Sequence, residues 1–284
     1  MQIYGIDLAK EKFDVSFFNP TVKNCSGTAE HKVIRNTDKG IQKFLSSLPA
    51  DAVLVAEHTG IYGDRLLKHC TDSHIDIAYV GGHVIHTYKS SPDRGKTDEQ
   101  DCAVLREFGE RFADKLTFKK FPQAEIYGLR QLARHRSMLV EDRKRYVTAD
   151  KGEDCRPCRE TFVKESMKRI VAMLDEEIAA TERQMQHLIS SRKELEKNYD
   201  IITSVKGVGL VTAVEILVKT DNFTTITTAR QYAAYAGTAP YEKSSGKMNK
   251  GRHISRIGNR RVKDLAVHLC GKCQNAQQGH KALL

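Results

Sequence analysis

The run AVLVAEH, residues 52–58, limits the fold more than any other feature. Its unbroken apolar stretch reads as a strand buried on both faces, because a half-exposed strand would alternate. IDIAYVG, residues 75–81, reads the same way. Such strands need helices above and below them, which commits this part of the chain to an α/β layer. The flanking segments supply the rest. QIYGIDLAK and FDVSFFN read as two strands of a hairpin joined by the polar link Lys10–Lys12, and HKVIRN reads as a third strand. TDKGIQKFLSSL opens with a Thr/Asp cap and places Ile41, Phe44 and Leu45 on one helical face; IYGDRLLKHCTDS is a second helix. The order is β-β-β-α-β-α-β, then a helix from about Thr97.

From about Pro122 to Asn198 the strand signal fades. Residues 124–147 carry Ile126, Leu129, Leu132 and Leu139 at helical spacing under a basic opposite face. Residues 166–197 form a long amphipathic helix. Its Ile170, Met173, Leu174, Ile178, Met185 and Leu188 approximate a heptad seam, fit for a helical hairpin or a coiled-coil dimerisation arm. DKGEDCRPC between them reads as a polar turn or loop. After Tyr199 glycine punctuates the pattern. ITSVKGVGLVTAVEILV resembles a helix-hairpin-helix element whose Gly207/Gly209 turn could present N–H groups to a phosphate, or be an ordinary tight turn. The expected domains are 1–118, 119–198 and 199–284.

The formal net charge is +10, which favours an anionic partner, nucleic acid first. No apolar run approaches the ~20 residues of a spanning helix, and the strand-like start reads as lacking a signal peptide, so a cytoplasmic protein without membrane contact is expected. Seven cysteines, an odd number, suit reduced thiols. CRPC and CGKC could form a four-thiolate zinc site only by meeting across the chain; the simpler reading is two unrelated pairs.

Asp7 sits inside an apolar strand and Glu57 ends one, and a buried carboxylate is costly unless paired or bound to a cation. Asp98 and Asp101 in KTDEQDC are three positions apart and share a helix face, while Glu99 and Gln100 point elsewhere. Neighbouring strands of a twisted sheet could bring Asp7 and Glu57 to one edge. Four converging carboxylates suit hard divalent cations, Mg²⁺ or Mn²⁺, which can clamp the oxygens of a phosphodiester. Taken singly, each acid has a plainer explanation, such as a turn bond or a dipole-favoured helix start.

YGIDLAK, EHTGIYG and KTDEQDC resemble the RuvC/RNase H-like DEDD motifs of the insertion-sequence 110 type of transposase, a family that includes pilin-gene invertases. SVKGVGLVTAVEIL, ARQYAAYAGTAPYEKSSGKM and ISRIGNRRVK resemble its second, transposase domain, so the likeness spans essentially the whole chain. It implies an RNase H/RuvC-like N-terminal domain, a helical coiled-coil middle and a mainly α C-terminal domain. It makes Asp7, Glu57, Asp98 and Asp101 the metal-binding catalytic set and points to Ser245, the serine before glycine in SSG, as nucleophile, with Ser244 as the fallback. It further implies a bacterial, nucleoid-associated recombinase acting on DNA through a composite site, assembled as a homodimer or homotetramer, with a structured bridge RNA as guide in part of the family. Relatives usually carry more helix beyond GNRRVK than the residues up to HKALL, 280–284, provide, which reads as a shortened or naturally short member.

From its own residues the serine is weaker, since KSSGKMNKGR also reads as a flexible loop. Its setting is strongly basic: Lys243, Lys247, Lys250, Arg252, Arg256, Arg260, Arg261 and Lys263, with no acid among them, could hold nucleic-acid phosphates. Tyr235 and Tyr241 could stack on bases or simply pack, and Tyr235 is expected to pack. Three functions fit: a serine-dependent recombinase (transposase or invertase), a metal-dependent hydrolytic nuclease or junction resolvase, and a non-catalytic nucleic-acid-binding protein.

Overall fold

The structure, a computed structural model, describes residues 1–18, 29–58, 60–88, 97–153, 155–158, 160–245, 248–254 and 258–265. They fall into two compact units, Met1–Phe121 and Pro122–Leu284.

The first unit is built on a five-stranded sheet of order β3-β2-β1-β4-β5. β1 (Gln2–Leu8), β2 (Lys12–Phe18) and β3 (Ala29–Arg35) form an antiparallel meander. β4 (Ala52–Glu57) and β5 (Asp76–Val80) add in parallel beyond β1. This is the mixed sheet that the apolar runs and the hairpin predict. Alternation sorts β1 into two faces. Tyr4, Ile6 and Leu8 join Phe13, Val15, Leu54 and Ala56 in one core, closed by Ile41 and Phe44 of α1 (Asp38–Leu45) and Leu66 of α2 (Asp64–Asp72). On the other face Ile3, Val53, Val55 and Val80 pack with Ile85 of α3 (Gly82–Tyr88) and Leu105 of α4 (Asp98–Arg111).

α4 lies across β1, β2 and β4 and approaches closely because two glycines permit it. A Cβ on Gly5 would lie 2.0 Å from the Cys102 carbonyl oxygen and 2.3 Å from the Arg106 nitrogen. A Cβ on Gly109 would lie 2.8 Å from methyl carbons of both Ile3 and Val55. Arg106 pins the helix to β2: its guanidinium lies 3.8 Å from the Phe18 ring centroid and its Nε donates to Ser16 Oγ at 3.4 Å.

In the second unit α5 (Ala124–Glu153) and α6 (Thr161–Ser190) pack along one another as an antiparallel hairpin, laced by ion pairs Arg136–Glu182 and Arg143–Asp175. The heptad seam is thus used within the chain. It runs through Leu174, Thr181, Met185 and Ile189; Met173, expected in it, is 55% exposed because it sits one position off the 174–181–185 stripe. α5 also continues through Asp150 to Glu153, into the stretch expected to be loop. α7 (Lys193–Thr203) and α8 (Leu210–Thr220) close the base, where Ile126, Leu129, Met185, Leu195 and Leu217 are buried together. Gly207 takes φ +94° in the turn before α8, a conformation that favours glycine, and Gly209 is the N-cap. After α9 (Ala229–Ala236) comes a hairpin of β6 (Pro240–Ser245) and β7 (Met248–Ile254).

Gly5→Ala is expected to lower stability by about 1–3 kcal/mol or more in urea unfolding, because backbone atoms of α4 must move. Gly152→Ala, with nothing within 4 Å of its Cβ, is expected to be neutral or slightly stabilising.

Candidate active site

The packing of α4 decides where its first turn goes. Gly109 lies over Ile3, and the Cys102–Arg106 turn lies over Gly5, so the helix runs antiparallel to β1. Two residues further along β1, roughly 6–7 Å, is Asp7; back along α4 from Cys102, Asp101 is the preceding residue and Asp98 lies one helical turn away, roughly 6 Å. Thr97 fixes that end, its Oγ1 accepting from the Gln100 N–H at 3.2 Å. Glu57 follows Ala56, which pairs with Ile6, so it stands beside Asp7 on the neighbouring strand. Its carboxylate rests on Gly82, where a Cβ would lie 2.5 Å from Oε1.

The four acids therefore share the mouth of the sheet. Asp7 feels them all: burial pushes its carboxyl above the ordinary range, and Asp101, Asp98, Glu57 and Asp14 push it further in the same direction. Asp7 and Glu57 are only partly buried, contrary to the expectation of buried carboxylates, because they lie where strands leave the core. Glu99 and Gln100 are exposed. Among the described residues, no three His, Cys, Asp or Glu side chains are close enough to hold a metal ion as they stand. The donor chemistry nevertheless fits one, since all are hard oxygens whose mutual repulsion a dication would relieve. Among the described residues the ammonium of Lys12 reaches into this site, 2.9 Å from Asp98 Oδ2 and 3.1 Å from Asp14 Oδ2.

Ser244 and Ser245 end β6, opposite Asn249 and Met248. The stretch expected to be a loop is thus mostly strand, and it carries Lys243, Lys250 and Arg252; Lys247 and Arg256 lie outside the described residues. The base of the hairpin is closed tightly. A Cβ on Gly258 would lie 2.7 Å from Gly237 Cα, and the Asn259 backbone N–H donates to the Tyr235 carbonyl at 3.0 Å. Tyr235, expected to pack, is 37% exposed, its hydroxyl accepting from Asn259 Nδ2 at 3.0 Å. Arg260 is exposed. Arg261 has a structural partner, the buried Glu215, whose Oε2 is 3.4 Å from its Nε, and Lys219 approaches the same carboxylate at 3.6 Å.

Two family models match the chain: a DEDD transposase model of the IS110 type over residues 4–149, and the transposase IS116/IS110/IS902 family over residues 199–283. The first spans half the chain and contains all four acids; the second contains both serines. The chain belongs to the IS110 family of transposases. It is 26% identical over 246 residues to the pilin gene-inverting protein of Moraxella bovis, covering 85% of this chain and 73% of that one. The Moraxella lacunata pilin gene-inverting protein matches with the same identity and coverage. An insertion element IS110 protein of 43.6 kDa from Streptomyces coelicolor is 42% identical over 76 residues, 27% of this chain and 19% of that protein. The Thermus thermophilus RuvC structure aligns over 42% of this chain and 100% of its own at 9% identity and a TM-score of 0.30, too low to weigh. Membership makes this transposase a DNA-cleaving and strand-transferring enzyme, with DNA as its partner and divalent metal in its chemistry.

Sequence reasoning passed over three residues of the transposase's acidic mouth. Asp14 is the most buried of its carboxylates, stands directly opposite Asp7, and is held by Lys12 and by His31 Nε2 at 2.8 Å. The signal was available: Asp14 and Ser16 alternate with Phe13, Val15 and Phe17, which puts them on the face of Asp7. Of the cysteines, Cys70 and Cys102 are buried, and burial pushes each thiol up to about 12, outside the reactive range. Cys155 and Cys158 are exposed; Cys25 and the CGKC pair lie outside the described residues. Among the described residues no helix is long and apolar enough to cross a membrane. Arg261→Ala is expected to lower the melting temperature by taking from the buried Glu215 one of the two cations that meet it among the described residues, whereas Arg260→Ala leaves it unchanged; thermal unfolding of the two variants checks this.

Proposed function

We propose that Asp7, Glu57, Asp98 and Asp101 hold Mg²⁺ or Mn²⁺ and that Ser245 is the nucleophile of DNA strand cleavage, with Ser244 as the alternative. The observation that supports the metal set is the placement of Asp7, Glu57 and the first turn of α4 at one sheet mouth, where burial and then the charges of Asp101, Asp98 and Glu57 raise the Asp7 carboxyl; the serine rests on the match to the transposase family over residues 199–283. A bound divalent ion neutralises such carboxylates and polarises a phosphoryl oxygen. The chain supplies the rest. The serine hydroxyl gives up its proton and its oxygen bonds to the phosphorus, the bond from phosphorus to the leaving sugar oxygen breaks and that oxygen takes up a proton, and a sugar hydroxyl of the new strand later attacks the phosphorus, breaking the phosphoserine bond and returning the proton to the serine. Lys243, Lys247, Lys250, Arg252, Arg256, Arg260, Arg261 and Lys263 hold phosphates around it, with Arg261 shared with Glu215. We further propose that the protein works as a homodimer or homotetramer on element ends and target, and that a structured guide RNA accounts for part of its basic charge. The pilin gene-inverting relatives make inversion of a DNA segment the alternative to transposition.

Incubation with a cognate DNA end and Mg²⁺, followed by denaturing electrophoresis, is expected to show a covalent protein–DNA adduct. The adduct falls to background in Ser245→Ala and in Asp7→Ala, and survives in Glu99→Ala. If Ser244→Ala abolishes it and Ser245→Ala does not, the nucleophile is Ser244. Cleavage that persists without an adduct when both serines are replaced contradicts the serine mechanism and favours hydrolysis by water. Lys250→Ala, if that lysine meets a phosphate, is expected to lower the slope of log affinity against log salt by about 0.9 on duplex DNA.

A further inference from the structure

Lys12 opens β2, and its ammonium sits inside the acidic mouth. It bridges two carboxylates of different character. Asp14 has a side chain only 5% exposed and keeps a second partner, His31 at 2.8 Å. Asp98 has a side chain 61% exposed and meets Lys12 at 2.9 Å. A pair as exposed as Lys12–Asp98 is weak and easily exchanged, whereas a carboxylate as buried as Asp14 needs a lasting counter-charge. The lysine is thus anchored at one end and exchangeable at the other. Asp98 is also one of the carboxylates assigned to the metal.

We propose that Lys12 is a tethered counter-ion of the metal site: it compensates Asp98 while no dication is bound, surrenders it when one binds, and remains held by Asp14. The proposal rests on the metal-site reading above. Lys12 is a positioning residue in this role. It keeps the first turn of α4 against β2 despite the crowding of Asp7, Glu57, Asp98 and Asp101, and it competes with the dication for Asp98. The ammonium stays beside the mouth once released, where a DNA phosphate would be drawn.

The test measures Mn²⁺ binding to the full chain without DNA, by electron paramagnetic resonance of the free ion. Lys12→Met is expected to bind Mn²⁺ roughly two- to fivefold more tightly than wild type, the range set by loss of one exposed competing charge. Lys12→Arg, which keeps the charge, is expected to stay near wild type. In EDTA, Lys12→Met melts below wild type, and the gap narrows at saturating Mn²⁺; a purely structural lysine leaves the gap unchanged. Mn²⁺ affinity in Lys12→Met that is equal to or weaker than wild type overturns the proposal. If wild type binds no Mn²⁺, or binding survives Asp7→Ala, the metal-site reading itself fails and the role of Lys12 falls with it, a result distinct from a failure at Lys12 alone.

Discussion

The contact between α4 and β1 at Gly5 organises the first unit. Without a side chain at that position, helix backbone meets strand backbone, and a second glycine, Gly109, lets the other end of α4 settle on Ile3 and Val55. With the helix tilt and register fixed at two points, the first turn of α4 has one place to go. Asp98 and Asp101 arrive at the level of Asp7 with little freedom to miss it. The acids are thus placed by packing on the apolar part of the sheet, and their mutual repulsion is borne by those contacts several ångströms away together with Lys12, 2.9 Å from Asp98. This is a common logic for functional sites: rigid elements hold groups together that would separate if free.

Charge is distributed unevenly. The chain carries a formal +10, yet the sheet mouth gathers Asp7, Asp14, Glu57, Asp98 and Asp101 around Lys12 and His31. The basic excess is concentrated in the acid-free stretch 243–263. Under the proposed function, the acidic mouth would take a dication and the basic hairpin would take phosphates, the two charges that phosphodiester chemistry calls for. Both features follow from separate local rules, one from sheet register and helix docking, the other from a hairpin clamped at Gly237 and Gly258.

Much of the fold was legible because it rests on short-range patterns. AVLVAEH and IDIAYVG announced the parallel strands, and the helix expected from about Thr97 is α4. Asp7, Glu57, Asp98 and Asp101 stood out as charges on elements whose remaining residues are apolar or helix-forming. What the sequence hid depends on partners. Alternation along β2 puts Asp14 on the face of Asp7, but only the hairpin register sets it directly opposite. Met173 and Ile189 exchanged places in the seam because one position of phase decides burial on a helix. Arg261 looked like one of eight similar cations, and only the buried Glu215 on α8 distinguishes it. The approach of α4 at Gly5 left no mark beyond a glycine in a strand, which has several explanations.

Anomalous diffraction from crystals of the protein soaked in Mn²⁺ tests the acidic mouth most directly. The expected result is a peak coordinated by the carboxylates of Asp7 and of Asp98 or Asp101, lost in Asp7→Ala crystals. A peak at other residues, or none at the mouth under conditions that support DNA cleavage, would contradict the assignment.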